Sequence, residues 1–422
     1  MKKLLVIALA LALLCSAAFA EVNLTVTSWR TDDKALWDEI NAAFTEEYPD
    51  ITVEFLPVTA TEYDGVLQTK LSSGNAEDIM FLRAFSTGRQ IYDAGYVLPL
   101  DTDKVPNLAN MDAAMTNPWT TEDGVCYGMP GSVCYGGFFY NKAIFEQCGV
   151  EVPTTWEEFK TVCQTIKDAG ITPISFGIKD SWMVAEYLSS TVVPMTTEGS
   201  EWHAALMNGE VDYTDAGFVK HFQWIKEMAE FFPEGYEGIG YDDMQMYFCA
   251  EMAAIYPVGS FELGVIESAN PDLDLGWFFM PGETADQVES INMGVIMGYG
   301  INAKLAEDEE KLQAAYTYLN WLGDVKASEM FTNLVVGQYA ASNSFDALAD
   351  ANAQDIFDQI QALKEGKGVT FFQQMPYEKL SDQSPDYTAA ITEAIYKLLV
   401  EDATPEEAAQ YMMETQAWYF AD

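Results

Sequence analysis

The stretch Phe138-Phe139-Tyr140-Asn141-Lys142-Ala143-Ile144-Phe145, followed by Gly149-Val150-Glu151-Val152-Pro153-Thr154-Thr155-Trp156-Glu157-Glu158-Phe159, opens the second of two α/β units. Thr155 and Glu158 have capping-box spacing. Trp156, Phe159, Val162 and Ile166 recur at a helical period, and Gly170 stands where such a helix closes. Ile171-Thr172-Pro173-Ile174-Ser175-Phe176 then reads as a strand that runs into the loop Gly177-Ile178-Lys179-Asp180-Ser181-Trp182.

Upstream of this stretch, Val22-Asn23-Leu24-Thr25-Val26-Thr27 alternates as a half-buried strand does. Asp32 or Asp33 can cap a helix whose inner face is Leu36, Ile40, Ala43 and Phe44. Ile51-Thr52-Val53-Glu54-Phe55 is a second strand, 63–71 a helix ending at Gly74, and Asp78-Ile79-Met80-Phe81-Leu82 a third strand. Alternating strands and helices imply a parallel sheet covered by helices. Ligands of such sheets sit beyond the carboxyl ends of the strands. This places two loops, 28–32 and 83–87, on a ligand from one side, and the loop 177–182 faces it from the other. Downstream, a helix is expected over 218–231, a helix and a strand over 244–256, strands around 273–279 and 294–301, and mostly helix from Glu309 on. Trp224, Trp277, Trp321 and Trp418 fall within periodic segments and read as core.

Composition narrows the function. The 422 residues exceed what one hydrophobic core usually supports, so two domains are expected. A net charge of −45 repels phosphate backbones and anionic membrane surfaces, which argues against nucleic acid and lipid headgroups as partners. The acids are spread along helix faces, which reads as solubility. Lys2 and Lys3, the apolar run from Leu4 to Leu14 and the small residues Ala18-Phe19-Ala20 read as an export signal, residues 1–20, cleaved near Ala20. Lipid anchoring through Cys15 is disfavoured, because Leu14 is too bulky for the residue such a cleavage site needs. Cys126, Cys134, Cys148, Cys163 and Cys249 then remain. They allow two disulfides and a free thiol, with Cys126–Cys134 and Cys148–Cys163 as close pairs, or no disulfide at all. Their spacing is not that of a zinc site, and with only His203 and His221 to add imidazoles no metal or other cofactor is expected.

The opening stretch resembles the centre of the family 1 extracellular solute-binding proteins, the carbohydrate receptors of ABC importers. So do Thr27-Ser28-Trp29-Arg30, Phe44-Thr45-Glu46-Glu47-Tyr48-Pro49-Asp50-Ile51-Thr52-Val53, Met252-Ala253-Ala254-Ile255-Tyr256-Pro257-Val258-Gly259-Ser260-Phe261 and Gly298-Tyr299-Gly300-Ile301-Asn302-Ala303. The resemblance implies an α/β, type II-like periplasmic-binding-protein fold of two lobes, 21–134 plus 298–338 and 135–297 plus 339–422. Three crossings near 132–137, 294–298 and 337–343 would join the lobes, with Gly136, Gly137, Gly294 and Gly298 serving either as hinge or as packing. It further implies a monomeric, extracytoplasmic, non-catalytic receptor that closes on a sugar or oligosaccharide and delivers it to ABC permease subunits.

Trp182 and Phe261 match family positions that stack on sugar rings, and Asp180 a position that binds hydroxyls. Trp29, Arg30 and Asp32 in the first loop, Arg83 and Ser86 in the second, Tyr135 in the first crossing, and Glu262 and Tyr299 complete the expected ligand set. Cys134 stands beside Tyr135 where the family is often polar or acidic. Structural alternatives accompany several of these: Trp29 can plug the sheet edge, Asp32 can serve as a helix cap, and the arginines can pair with surface acids. Two rival functions stay open at this level. The same fold could bind a polyamine or a peptide, and a secreted carbohydrate hydrolase could use Asp32 and Asp180 as its carboxylate pair. Against an enzyme, the sequence has no nucleophile elbow, HExxH or phosphate-cradling glycine loop.

Overall fold

The computed structural model describes residues 22–420 apart from 112, 286, 288–289, 343–347, 368–369 and 374–384. The expected export signal and Cys15 lie outside the described residues. Among the described residues there are ten strands: β1 (Val22–Ser28), β2 (Ile51–Pro57), β3 (Ile79–Leu82), β4 (Met129–Asn141), β5 (Thr172–Ile174), β6 (Ala253–Gly259), β7 (Leu275–Phe278), β8 (Ser290–Ile301), β9 (Tyr339–Ala340) and β10 (Thr370–Gln373).

In the first half of the fold, β1 lies between β2 and β3 and parallel to both. The helices Lys34–Glu47 and Tyr63–Ser73 make the connections, the second closed by Gly74 at φ 72. The buried stripe of Lys34–Glu47 is Trp37, Ile40, Asn41 and Phe44, whereas Leu36 and Ala43 are only partly covered. Trp37 takes the centre because its ring stacks on Phe55 at 5.4 Å and meets Phe81 edge-on at 5.3 Å, a larger apolar contact than Leu36 offers.

β4 and β8 unite the two halves. The end of β8 pairs antiparallel with β3, and its middle pairs with the first part of β4, from Met129↔Tyr299 to Tyr135↔Met293. From Gly136 onward β4 pairs instead with β6 on one side and, from Phe138, with β7 on the other, while β5 runs parallel to β6. The Phe138-Phe139-Tyr140 run is apolar throughout because both faces of the strand are covered. Phe138 stacks on Phe278 at 5.2 Å and reaches Phe159 of the helix Trp156–Asp168 at 5.6 Å, and Phe139 meets Trp277 at 4.6 Å. β9 adds a third strand at the junction, pairing with Ser132 and Val133.

Packing accounts for three of the four crossing glycines. A Cβ on Gly136, Gly137 or Gly298 would run into Asn292, Trp277 or Trp119, respectively. Gly337 is different: its φ of 85 is left-handed, and a Cβ there would overlap the Ser260 carbonyl oxygen. The capping box expected at Thr155 is half-formed. Thr155 Oγ1 accepts from the Glu158 N–H at 3.3 Å, but the Glu158 carboxylate accepts from the N–H of Thr154, one residue earlier, at 2.8 Å.

All five described cysteines are free, so of the alternatives left by the sequence the one without bridges holds here. Burial pushes the Cys134 thiol up to about 12. Trp224, Trp277 and Trp321 are buried as expected, and Trp418 is half-buried. Among the described residues no helix is long and apolar enough to cross a membrane, and no cluster of His, Cys, Asp and Glu could hold a metal.

Of the chain's two histidines, His221 is buried and His203 half-buried. Desolvation lowers His221 from 6.5 to about 3 and His203 to about 4. A base whose folded pKa is depressed stabilises the fold fully above its unfolded pKa, and loses that contribution as pH falls from about 6.5 toward the folded value. His221, 3.0 Å from Ser189 Oγ and stacked on Phe218, is the more enclosed of the two. Wild type is therefore expected to lose more unfolding free energy between pH 6.5 and 4.5 than His221→Phe, by up to about 1.4 kcal/mol per pH unit. Urea titrations of both proteins at the two pH values check this, and parallel losses would contradict it.

Candidate functional site

The loops that leave β1 and β3 form one wall of the site. After β1, the Arg30 guanidinium grips Asp33 with two bonds, Nε–Oδ2 at 2.6 Å and Nη2–Oδ1 at 2.9 Å. Asp33 occupies the cap position of Lys34–Glu47 but makes no side-chain capping bond, because Arg30 holds its carboxylate. Burial opposes the Arg30 charge, and the pairing with Asp33 more than offsets it, so its pKa rises further. Asp32 is exposed beside this pair. Trp29 is only 9% exposed. Its edges meet Tyr63 and Phe81, and the Arg83 guanidinium covers it at 4.6 Å. Arg83 Nε also bonds Asp64 at 2.9 Å. Arg30, Arg83 and Arg89 are the chain's three arginines, and each is paired with an aspartate, Asp33, Asp64 and Asp93. Phe85, buried, has φ 56, an unfavourable value for a bulky residue, just before half-buried Ser86 opens the helix Ser86–Asp93.

The opposite wall is a chain of aromatic rings. Trp182 meets Tyr241 edge-on at 5.0 Å and Tyr187 at 6.0 Å, and Tyr187 meets Phe261 at 5.6 Å. Trp182, Tyr241 and Phe261 are half-buried, while Tyr187 is buried with its hydroxyl 3.5 Å from Cys134 Sγ. Glu262 lies fully buried behind them. It accepts hydrogen bonds from the Tyr241 hydroxyl, from Gln245 Nε2 at 3.1 Å and from the Tyr256 hydroxyl at 3.4 Å. Desolvation raises the Glu262 pKa, partly countered by these donors and by the positive charge of Arg30. Arg30 and Tyr241 each influence the other's charge, so the β1 loop approaches the aromatic wall.

Of the expected ligand set, Arg30, Asp32, Arg83 and Ser86 lie on the loops of the first wall, and Trp182 and Phe261 lie in the aromatic wall. Others sit differently. Tyr135 and Tyr299 are each 3% exposed, because they lie on β4 and β8, the most enclosed strands of the sheet. Tyr135 donates its N–H to Ser260 Oγ at 3.1 Å and packs on Tyr339, and Tyr299 packs on Phe81. Trp29 fills the core beneath Arg83, the plug alternative. Asp180 Oδ2 accepts the Tyr241 N–H at 2.7 Å, at the start of the helix Tyr241–Cys249, so this carboxylate is engaged by the protein itself.

Tyr187, Tyr241 and Gln245 belong to the site and were not among the sequence candidates. Tyr241 precedes the start expected for its helix. Tyr187 joins the aromatic wall from a π-helical turn, Met183–Ser189, a widening that recurs at functional sites and leaves little trace in hydrophobic period.

Comparison with known proteins agrees with this architecture. The chain is 23% identical over 295 residues, 68% of each chain, to the multiple sugar-binding protein of Streptococcus mutans. It is 24% identical over 222 residues, 51% of this chain and 50% of the other, to the melibiose/raffinose/stachyose-binding protein of Bacillus subtilis. Among solved structures, a chitin oligosaccharide binding protein superposes with a TM-score of 0.76 at 22% identity, covering 95% of this chain and 100% of the other. A raffinose complex of the solute-binding protein RafE superposes with 0.72 at 18% identity, covering 95% and 100%. These likenesses establish the two-lobe fold. The family model described as bacterial extracellular solute-binding protein matches residues 27–329, well over half of the sequence, and the chain therefore belongs to that family of extracytoplasmic binding proteins.

Proposed function

We propose that the protein captures an uncharged sugar or oligosaccharide between its two lobes and delivers it to the membrane-spanning subunits of an ABC importer, without chemical turnover. The observation that carries this reading is the continuous aromatic wall Trp182–Tyr241–Tyr187–Phe261, with the charged Arg30 near it. A sugar presents an apolar ring face and a rim of hydroxyls. Flat aromatics hold the face, each contributing about 0.5–1.5 kcal/mol beyond area burial. Charged groups hold the rim at about 1.5–3 kcal/mol per hydrogen bond. A few of each reach micromolar affinity, about 8 kcal/mol. On this reading Trp182, Tyr241 and Phe261 supply the face, while Arg30, Asp32, Arg83 and Ser86 approach the rim. The sugar-binding names of its relatives support the ligand class.

The charge inventory supports an uncharged ligand. Asp33 and Asp64 are held by arginines, Asp180 by a backbone N–H and Glu262 by three side-chain donors. This leaves few free carboxylates for a polyamine, with Asp32 the exposed exception, and the bond to Asp180 Oδ2 works against the Asp32–Asp180 pair a hydrolase would use. The lobes are assigned as 21–134 plus 298–338 and 135–297 plus 339–422. The mature receptor is a monomer released by cleavage near Ala20 and not anchored through Cys15.

A thermal-shift screen of residues 21–422 against maltotriose, raffinose, N-acetylchitotriose, monosaccharides, spermidine and amino acids tests the proposal. A sugar at about 100 times its Kd stabilises by about 2.7 kcal/mol. A sugar response without product formation is expected. Silence from every sugar alongside a response to spermidine or amino acids would overturn the reading.

A further inference from the structure

Tyr241 is fixed at both ends by carboxylates. Its N–H is taken by Asp180 Oδ2 at 2.7 Å and its hydroxyl by Glu262. Between these two anchors its ring supports Trp182 edge-on at 5.0 Å, with an interplanar angle of 63°. Glu262 is fully buried, and a buried carboxylate costs free energy unless its donors stay in place. The donors come from two elements, Tyr241 and Gln245 from the helix Tyr241–Cys249 and Tyr256 from β6. The turn that presents Glu262 is itself fixed to the lobe crossings. Ser260 Oγ accepts the Tyr135 N–H of β4 at 3.1 Å and donates to the Gly337 carbonyl at 2.7 Å. Phe261, between Ser260 and Glu262, offers its half-buried ring to Tyr187.

We propose that Glu262 is a positioning residue for ligand capture. By holding the Tyr241 hydroxyl it orients the Tyr241 ring, and through that ring it sets the Trp182 face on which the ligand stacks. Asp180 serves the same end from the backbone side. Glu262, fully buried, therefore acts through Tyr241 and does not itself touch the sugar. The inference rests on the receptor reading for its ligand, but its geometry can be tested without one.

Two readouts separate this role from simple stabilisation of the helix. The first is 19F NMR of protein labelled with 5-fluorotryptophan, the Trp182 signal being identified by its loss in Trp182→Phe. Tyr241→Phe keeps the ring and loses the hydroxyl, and Glu262→Ala loses the acceptor. Each is expected to shift or broaden the Trp182 signal, while Glu262→Gln, which keeps an acceptor oxygen, largely restores it. The second is affinity for maltotriose, raffinose and N-acetylchitotriose. For whichever binds wild type, Tyr241→Phe and Glu262→Ala should each weaken binding about tenfold, and the double variant should lose little more than either alone. An unmoved Trp182 signal in Tyr241→Phe, or a tenfold loss in Glu262→Gln equal to that in Glu262→Ala, would overturn the proposal. A moved and rescued signal in a protein that binds no sugar of the wider screen but does bind spermidine or amino acids would support the clamp and sink the sugar-receptor reading instead. Glu262→Ala can be lost to misfolding without harm to the test, since Tyr241→Phe and Glu262→Gln both keep the shape of the core.

Discussion

Replacing Trp182 and Phe261 together by alanine is expected to weaken sugar binding by about a hundredfold while leaving the fold intact. Both rings are half-buried, so each has a face to give to a ligand. Two stacked rings contribute about 1–3 kcal/mol beyond area burial, and the covered apolar area adds more at about 25 cal/mol per Å². A loss near 3 kcal/mol corresponds to about a hundredfold in Kd. Both rings pack against the core from its margin and are not part of the buried core itself, while the neighbouring Met183 and Leu263 are fully buried. Titration calorimetry gives the affinity and thermal unfolding the stability. An affinity changed by less than about threefold would remove these rings from the site even with the fold unaltered.

The largest effect on stability is expected from Gly337→Ala, in the segment that leads into β9. The residue has φ 85, where an L side chain costs about 1–2 kcal/mol. The new Cβ would also overlap the Ser260 carbonyl oxygen, a backbone atom that cannot rotate away. Relieving the overlap moves either the 337 segment or the Ser260 turn. That endangers the Ser260 Oγ bond to the Gly337 carbonyl and the neighbouring Ser132 Oγ bond to Gln338 Oε1 at 3.0 Å, both buried. Overpacking of this kind adds about 1–3 kcal/mol, for a total of about 2–5 kcal/mol. Urea unfolding of the variant measures it, and a loss below about 0.5 kcal/mol would show that the segment yields freely.

Much of the fold was legible because local signals agreed with tertiary demands. Alternation gave β1, the apolar run Ile79-Met80-Phe81-Leu82 gave β3, and Gly74 marked a helix end by a conformation only glycine adopts easily. Beyond the local signal the reading thinned. Trp37 displaced Leu36 from the inner face because Phe55 and Phe81 offer it ring surfaces, a contact made across the sheet. The sharing of β4 between both halves of the sheet followed from family likeness, since a strand buried on both faces shows no period of its own.

The site divides in the same way. Phe261 and Trp182 could be found as aromatics on loops at strand ends. Asp180 and Glu262 could be seen as carboxylates in the right loops, but not as partners of Tyr241, which lies 61 residues from the first and 21 from the second. Tyr187 was hidden in a segment whose π turn resembles ordinary helix in sequence. Tyr135 entered the ligand set by its place in the first crossing and Tyr299 as a further candidate, yet both occupy enclosed strands of the sheet.

The most direct test of the central claim is calorimetric titration of residues 21–422 with the sugars of the screen, and with spermidine, at low and at high salt. An uncharged ligand held by rings and already paired charges should bind with an affinity nearly indifferent to salt, and spermidine should not bind. Tight spermidine binding that weakens as salt rises, with no heat from any sugar, would contradict the account.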